Sequence, residues 1–199
     1  MKERPIIFSG QMIRAILSGQ KTQTRRVVKP QPTHFLGANP EERYNGLPYV
    51  VTSKKPHHNG MVWEEEDGTR YEQIRCPYDA DYLWVRETWA ECGGRIYYKA
   101  DHSEEETDIQ WKPSIYMPRS HSRILLEVGF FTTQRLCNIS EEDARAEGVS
   151  SVQEYFKLWN SINPGIPVGA NPIVWVVNSE MVKSDDFHHQ PDWHAALSS

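Results

Sequence analysis

With 199 residues, 38% of them hydrophobic, and a net charge of −5, the chain has the length for one well-buried domain with room for an insertion. Three cysteines without a CxxC pair leave one odd. This indicates neither a zinc knuckle nor a disulfide framework, and it fits a reduced cytoplasmic setting. No apolar run approaches the roughly 18 residues of a membrane span, and the N-terminus lacks a signal-peptide stretch, so a soluble protein without membrane contact is expected.

Pro5-Ile6-Ile7-Phe8 reads as an opening strand. Ser9 is a suitable N-cap for a helix whose apolar stripe is Met12, Ile13, Ile16 and Leu17, ending at Gly19. Directly behind it stands Gly19-Gln20-Lys21-Thr22-Gln23-Thr24-Arg25-Arg26. Residues 1–30 carry seven Lys/Arg against Glu3 alone, in a chain that is acidic overall. That asymmetry points to one confined anion-binding surface. Val27-Val28 continue an extended segment up to Pro30.

Residues 30–78 are polar and interrupted by prolines, which predicts a long surface insertion. Within it, Met61-Val62-Trp63 and Tyr71 to Ile74 around Asp67-Gly68 form a hairpin pattern. Strands are predicted at Tyr82–Glu87, Arg95–Lys99, Ser122–Phe131 and Ile173–Val177, with a solvated acidic loop over 100–110. Ser140-Glu141-Glu142-Asp143 resembles a capping box with Asp in the Glu position, opening a helix that runs to about Glu147 before Gly148. A second helix over about 151–160 carries Val152, Tyr155, Phe156 and Trp159 on one face and ends at Asn163-Pro164-Gly165. The domain is expected to span 1–180, leaving 181–199 as a flexible polar tail. Separated strands with short helices between them fit an α+β fold better than a doubly wound sheet, and neither GxGxxG nor GxxxxGK[ST] occurs.

A threonine hydroxyl becomes nucleophilic when a base takes its proton, and a lysine serves when burial or nearby positive charge lowers its pKa. Lys21 and Thr24, with Arg25 and Arg26 beside them, have that composition. In a regular strand positions 21 and 24 face opposite sides, so the pair works together only if the chain turns after Gly19. The simpler reading is phosphate binding, with threonines serving β-propensity. Glu147 sits in the last helical turn, where the macrodipole disfavours a carboxylate by roughly 0.3–1 kcal/mol. It therefore wants a cationic partner, unless it is merely exposed. Arg86 and Glu87 alternate across an aromatic strand, and Arg119 and Arg123 add cations suited to phosphate, a base edge or plain solvent. The adjacent pairs His57-His58 and His188-His189 lack metal-ligand spacing, so no metal and no cofactor is expected.

Ser18 to Arg26 resembles the GxKTxTxR element of ASCH-domain proteins. The resemblance extends through Leu83-Trp84-Val85-Arg86-Glu87-Thr88-Trp89, Pro113 to Arg119, Ile139 to Gly148, Leu158 to Asn163 and Asn171 to Val176, in the order of the larger ASCH proteins common in phages and prophages. It implies a PUA-like small mixed β-barrel with flanking short helices. Through the small bacterial N4-acetylcytidine amidohydrolases it further implies catalytic roles for Lys21, Thr24 and Glu147. Thr22, Arg25, Arg26, Arg86, Glu87 and Arg119 are then the candidate substrate-binding residues. The activity so implied is hydrolysis of an N4-acyl group from cytidine, in the host cytoplasm if the chain is phage-encoded. Its partner would be a modified nucleoside, RNA or DNA. The alternatives are a non-catalytic RNA- or DNA-binding regulatory module, or a metal-independent or metal-dependent ribonuclease. The net charge of −5 favours a small substrate over long nucleic acid.

Overall fold

The computed structural model describes residues 1–29, 31, 76–102 and 109–182, together with the backbone of 60–61 and 74–75. In chain order the elements are β1 (Glu3–Ile7), α1 (Gly10–Leu17), β2 (Gln23–Val27), β3 (Gly60–Met61), β4 (Ile74–Arg75), β5 (Tyr82–Arg86), β6 (Trp89–Cys92) and β7 (Arg95–Tyr98). They continue with β8 (Leu125–Arg135), α2 (Glu141–Ala146), α3 (Val152–Ile162) and β9 (Ile173–Met181). The fold is mixed α+β. No helix among the described residues is long and apolar enough to cross a membrane.

One five-stranded sheet, ordered β1-β5-β8-β9-β2, carries the domain. β1 runs parallel to β5, and the other three pairings are antiparallel. Among the described residues no ladder joins the edge strands β1 and β2, so the expected barrel is an open sheet here. The two edges nevertheless come within side-chain reach, because Arg26 of β2 donates to the Ile7 carbonyl of β1 at 2.6 Å. β8 is longer than its sequence pattern implied, and its register shifts between Val128 and Phe130. An extra residue there, Gly129, bends the strand locally.

β9 explains why its sequence is an unbroken apolar run. Ile173, Trp175 and Val177 pack on one face with Ile6, Phe8, Ile13, Ile16, Leu83 and Val85. Val174 and Val176 pack on the other with Tyr155, Trp159, Ala144 and Leu136. A strand covered on both faces needs no polar alternation. The strand reaches Met181, so the region read as a tail begins inside the sheet; 183–199 lie outside the described residues. Most of the proline-rich insertion lies outside them too. Within it, Met61 pairs with Ile74 and Gly60 with Arg75, as the hairpin pattern requires, while its Asp67-Gly68 turn is not described.

The helices follow local chemistry with two departures. The capping box of α2 is formed, Ser140 Oγ accepting from the Asp143 amide and Asp143 Oδ2 from the Ser140 amide, each at 3.1 Å. Ser151 caps α3 in the same way, accepting from Glu154 at 3.3 Å. Ser9 stands at the N-cap of α1 with extended backbone, but its side chain makes no capping hydrogen bond. α1 buries Met12, Ile13, Ala15 and Ile16, while Leu17 lies on the exposed flank. A second hairpin, β6–β7, turns through Gly93 and Gly94, both at positive φ, where a side chain would be strained. Of the acidic loop, Lys99–Asp101 form a short 3₁₀ turn and 103–108 lie outside the described residues.

Candidate functional site

The end of α1 positions Lys21. Gly19 takes φ +76 and reverses the chain, after which the amides of Gln20 and Lys21 both donate to the Ala15 carbonyl at 2.9 Å. This turn delivers the Lys21 side chain into the interior. There the ammonium donates to the Gln23 carbonyl at 2.7 Å, the Glu147 carbonyl at 2.9 Å and Glu147 Oε2 at 2.6 Å. Both side chains are only 2% exposed, so this is a buried ion pair rather than a surface one. An ammonium has three N–H donors, and all three are used.

Glu147 comes to Lys21 from the C-cap of α2. Its second oxygen, Oε1, accepts from Arg25 at 3.2 Å. Arg25 reaches across to Asp143 at 3.0 Å and also donates to the Gln23 side chain. Two cations and two carboxylates thus share one cluster with the charges balanced, three of them buried and Asp143 partly exposed. The macrodipole penalty at a helix C-terminus is offset here by two cations that approach the carboxylate from β2 and the loop before it.

Burial draws Lys21 below the ordinary lysine range. The Glu147 carboxylate and its hydrogen bond oppose the shift, and Arg26 and Arg25 add to it. For Asp143, burial favours the protonated form. The Ser140 amide and Arg25 outweigh it and hold the carboxyl below the usual range. Tyr155, over whose ring Arg25 sits at 5.9 Å, has its phenol pushed up by burial and by Glu147.

Thr24 is buried in β2 opposite Val177. Paired residues of antiparallel strands share a face, so Thr24 and Arg26 look toward Val177 and Trp175, and Arg25 looks the other way under the helices. No hydrogen bond among the described residues joins the Thr24 side chain to Lys21 or Glu147. The structure therefore brings two of the three predicted catalytic residues into contact and leaves the third a neighbour in the chain.

The predicted binding residues divide. Arg26 stays with the cluster: its guanidinium lies 5.3 Å from the Phe8 ring, which Lys21 also approaches at 5.6 Å, and its Nε is buried without a partner. The Thr22 side chain is exposed, and its backbone bridges Ala146 and Ser179. Arg86 stacks on Trp84 at 4.6 Å. Glu87 belongs to a different cluster, where Arg123 grips it at 2.9 and 3.0 Å and Asp101 at 2.6 and 2.8 Å, over the Tyr98 ring at 4.0 Å. Desolvation raises the Glu87 carboxyl against the pull of Arg123. Arg119 pairs with Glu3 at 2.7 Å beside β1. No hydrogen bond or ion pair among the described residues links these last groups to Lys21.

Sequence reasoning missed the cavity beside the cluster. About 470 Å³ opens along β2, lined by Arg25, Arg26 and Lys29 together with Tyr78, Ile162 and Trp175. Lys29 is one of the seven N-terminal cations, but nothing local announces that Tyr78 and the end of α3 line the same cavity. Asp143 was legible only as a cap, although it also holds Arg25. Among the described residues no group of three or more His, Cys, Asp and Glu is arranged to hold a metal ion.

No family model and no curated protein matches the chain. Among solved structures it is similar to protein EF3133 from Enterococcus faecalis V583, of the DUF984 family, at 11% identity over 92% of this chain and 81% of that one, with a TM-score of 0.41.

Proposed function

We propose that the protein binds a nucleoside or nucleic-acid base beside β2 and hydrolyses an N4-acyl group from cytidine, with Lys21 and Glu147 handling the protons. The observation that supports this reading above the others is the buried 2.6 Å contact between Lys21 and Glu147, which unites the loop after α1 with the end of α2. A buried ion pair is weak as a stabilising device, since desolvation consumes most of its Coulomb energy. Perturbed ionisable groups in such a setting are candidates for chemistry. The open mixed sheet, with its edges tied by Arg26, is read on this proposal as a PUA-like arrangement.

The chemistry runs in balanced steps. Lys21 passes a proton to Glu147 and becomes a neutral amine, a transfer that its burial assists. The amine then takes the Thr24 hydroxyl proton as Oγ attacks the acyl carbon. The unpartnered Nε–H of Arg26 is a donor for the developing oxyanion. Lys21 gives that proton to the departing cytosine amine and, neutral again, takes a proton from the water that attacks the Thr24 ester. It hands this proton to Thr24 Oγ as the acid leaves, after which Glu147 returns its own proton to Lys21. For this route Thr24 must turn toward Lys21, and one of the three Lys21 hydrogen bonds must yield.

A second reading, a binding module without turnover, draws on the saturation of Lys21 and on the lack, among the described residues, of a hydrogen bond from Thr24 to Lys21 or Glu147. Incubation with N4-acetylcytidine, followed by chromatography for cytidine and acetate, separates the two. Product formation that disappears in Thr24→Val supports the hydrolase. Binding of the nucleoside without product supports the module. An absence of both sets the nucleoside reading aside.

A further inference from the structure

The cavity along β2 has a charge pattern that acyl hydrolysis uses only in part, through Arg26 Nε. Of its three cations, Arg25 is already neutralised by Glu147 and Asp143. Arg26 is not: among the described residues the one acceptor it engages is the uncharged Ile7 carbonyl, and its buried Nε has no partner there. Lys29 is exposed at the cavity wall, and no ion pair within the described residues involves it. Among the described residues no carboxylate lines the space, although the chain as a whole carries a net charge of −5. The lining also includes the half-buried Tyr78 and the exposed Ile162, which offer ring and aliphatic surface, while Trp175, the cross-strand neighbour of Arg26, is buried. The volume of about 470 Å³ falls within the range of small-molecule sites, roughly 300–1,000 Å³.

We propose that this cavity is a phosphate-recognising subsite, and that the ligand is a pyrimidine nucleoside monophosphate rather than a free nucleoside. Two cations without a carboxylate partner among the described residues, Arg26 and Lys29, match a phosphate monoester, which carries about −1.5 to −2 charges at neutral pH, better than a carboxylate with one. The accessible surface of Tyr78 and Ile162 in the same cavity suits a base or sugar. Arg26 borders both regions, lining the cavity and sharing the Phe8 ring with Lys21. The proposal rests on the reading of the Lys21–Glu147 pair as the reacting end, with the phosphate held further along the same strand.

The test is calorimetric titration of the full chain with cytidine, cytidine 5′-monophosphate, inorganic phosphate and a short oligocytidine. The monophosphate is expected to bind at least about tenfold more tightly than cytidine, since a charge-assisted hydrogen bond is worth that much or more. The gain is expected to vanish in Lys29→Glu, an exposed position, with circular dichroism checking that the variant keeps the fold. Equal affinity for nucleoside and monophosphate overturns the proposal, as does a gain that survives in Lys29→Glu. Tighter binding of the oligocytidine than of the monophosphate overturns the assignment to a mononucleotide. Glu147→Gln separates the two readings: lost turnover with the phosphate gain intact supports the subsite, and a phosphate gain in a wild-type protein without any hydrolysis removes only the chemistry at Lys21.

Discussion

Gly148 lies so close to Ala15 that a Cβ placed on it would stand 2.8 Å from the Ala15 Cβ and 3.3 Å from that of Lys21. The same glycine sits at φ +89, immediately after Glu147. Its missing side chain lets the end of α2 close onto α1, and that closure sets the distance between Glu147 and Lys21.

Gly148→Ala is therefore expected to destabilise the fold by about 1–3 kcal/mol, from overpacking and from a strained backbone together. A urea titration measures it. A midpoint unchanged from wild type would mean that α1 and α2 can separate freely, and would remove the glycine from the account of the site.

Lys21→Met leaves Glu147 buried with Arg25 alone, and Glu147→Leu leaves the Lys21 ammonium buried with carbonyls only. Each single replacement is expected to cost about 3–5 kcal/mol, while the double variant recovers a large part of the loss because no unpaired charge remains. Chemical unfolding of the four proteins gives the coupling. Additive losses would show that the 2.6 Å contact carries little energy.

Thr24 provides the sharpest separation of stability from activity. Its hydroxyl makes no hydrogen bond among the described residues, so Thr24→Val should change the unfolding free energy by no more than about 1 kcal/mol. If Thr24 is the nucleophile, turnover of N4-acetylcytidine falls by roughly 10³-fold or more. Retained turnover would sink that role while leaving base binding possible.

Asp143 gives a pH dependence with a definite sign. Its carboxyl is held below its ordinary 3.8 in the folded chain, so the unfolded chain takes up the proton first as pH falls. The stabilisation is present above about pH 3.8 and is lost as pH drops through the folded value. Asp143→Asn should flatten the stability profile in that acid window and leave its shape near neutrality unaltered. Acid titrations of the two proteins with parallel slopes would contradict the assignment.

What the sequence disclosed was local or strongly periodic. The capping box at Ser140 needs only residues three apart, and the apolar run of β9 records burial on both faces. Glu147 at a helix C-terminus signalled a missing cation by simple electrostatics. The relations it concealed depend on sheet order. Arg119 meets Glu3 beside β1, the strand that joins the sheet in parallel against β5, and Arg26 meets Ile7 only because opposite edges of the sheet approach each other. The Lys21–Thr24 partnership, which the resemblance implied and the spacing allowed only with a turn after Gly19, meets that turn, yet it carries Lys21 toward Glu147 before β2 begins. Leu17 fits the helical stripe but falls on its exposed flank, a distinction that periodicity alone cannot make.

β2 finds its ladder partner in β9, Thr24 opposite Val177, and among the described residues it pairs with no other strand. A ribosome delivers the first of these strands long before the second. Throughout that interval the segment from Lys21 to Arg26 is a cationic ribbon with its backbone donors and acceptors unclaimed by any sheet, and closing so long a loop is among the slower events in folding. Ligand competence should accordingly emerge late in refolding, in step with the burial of Trp175 rather than with the early formation of α1.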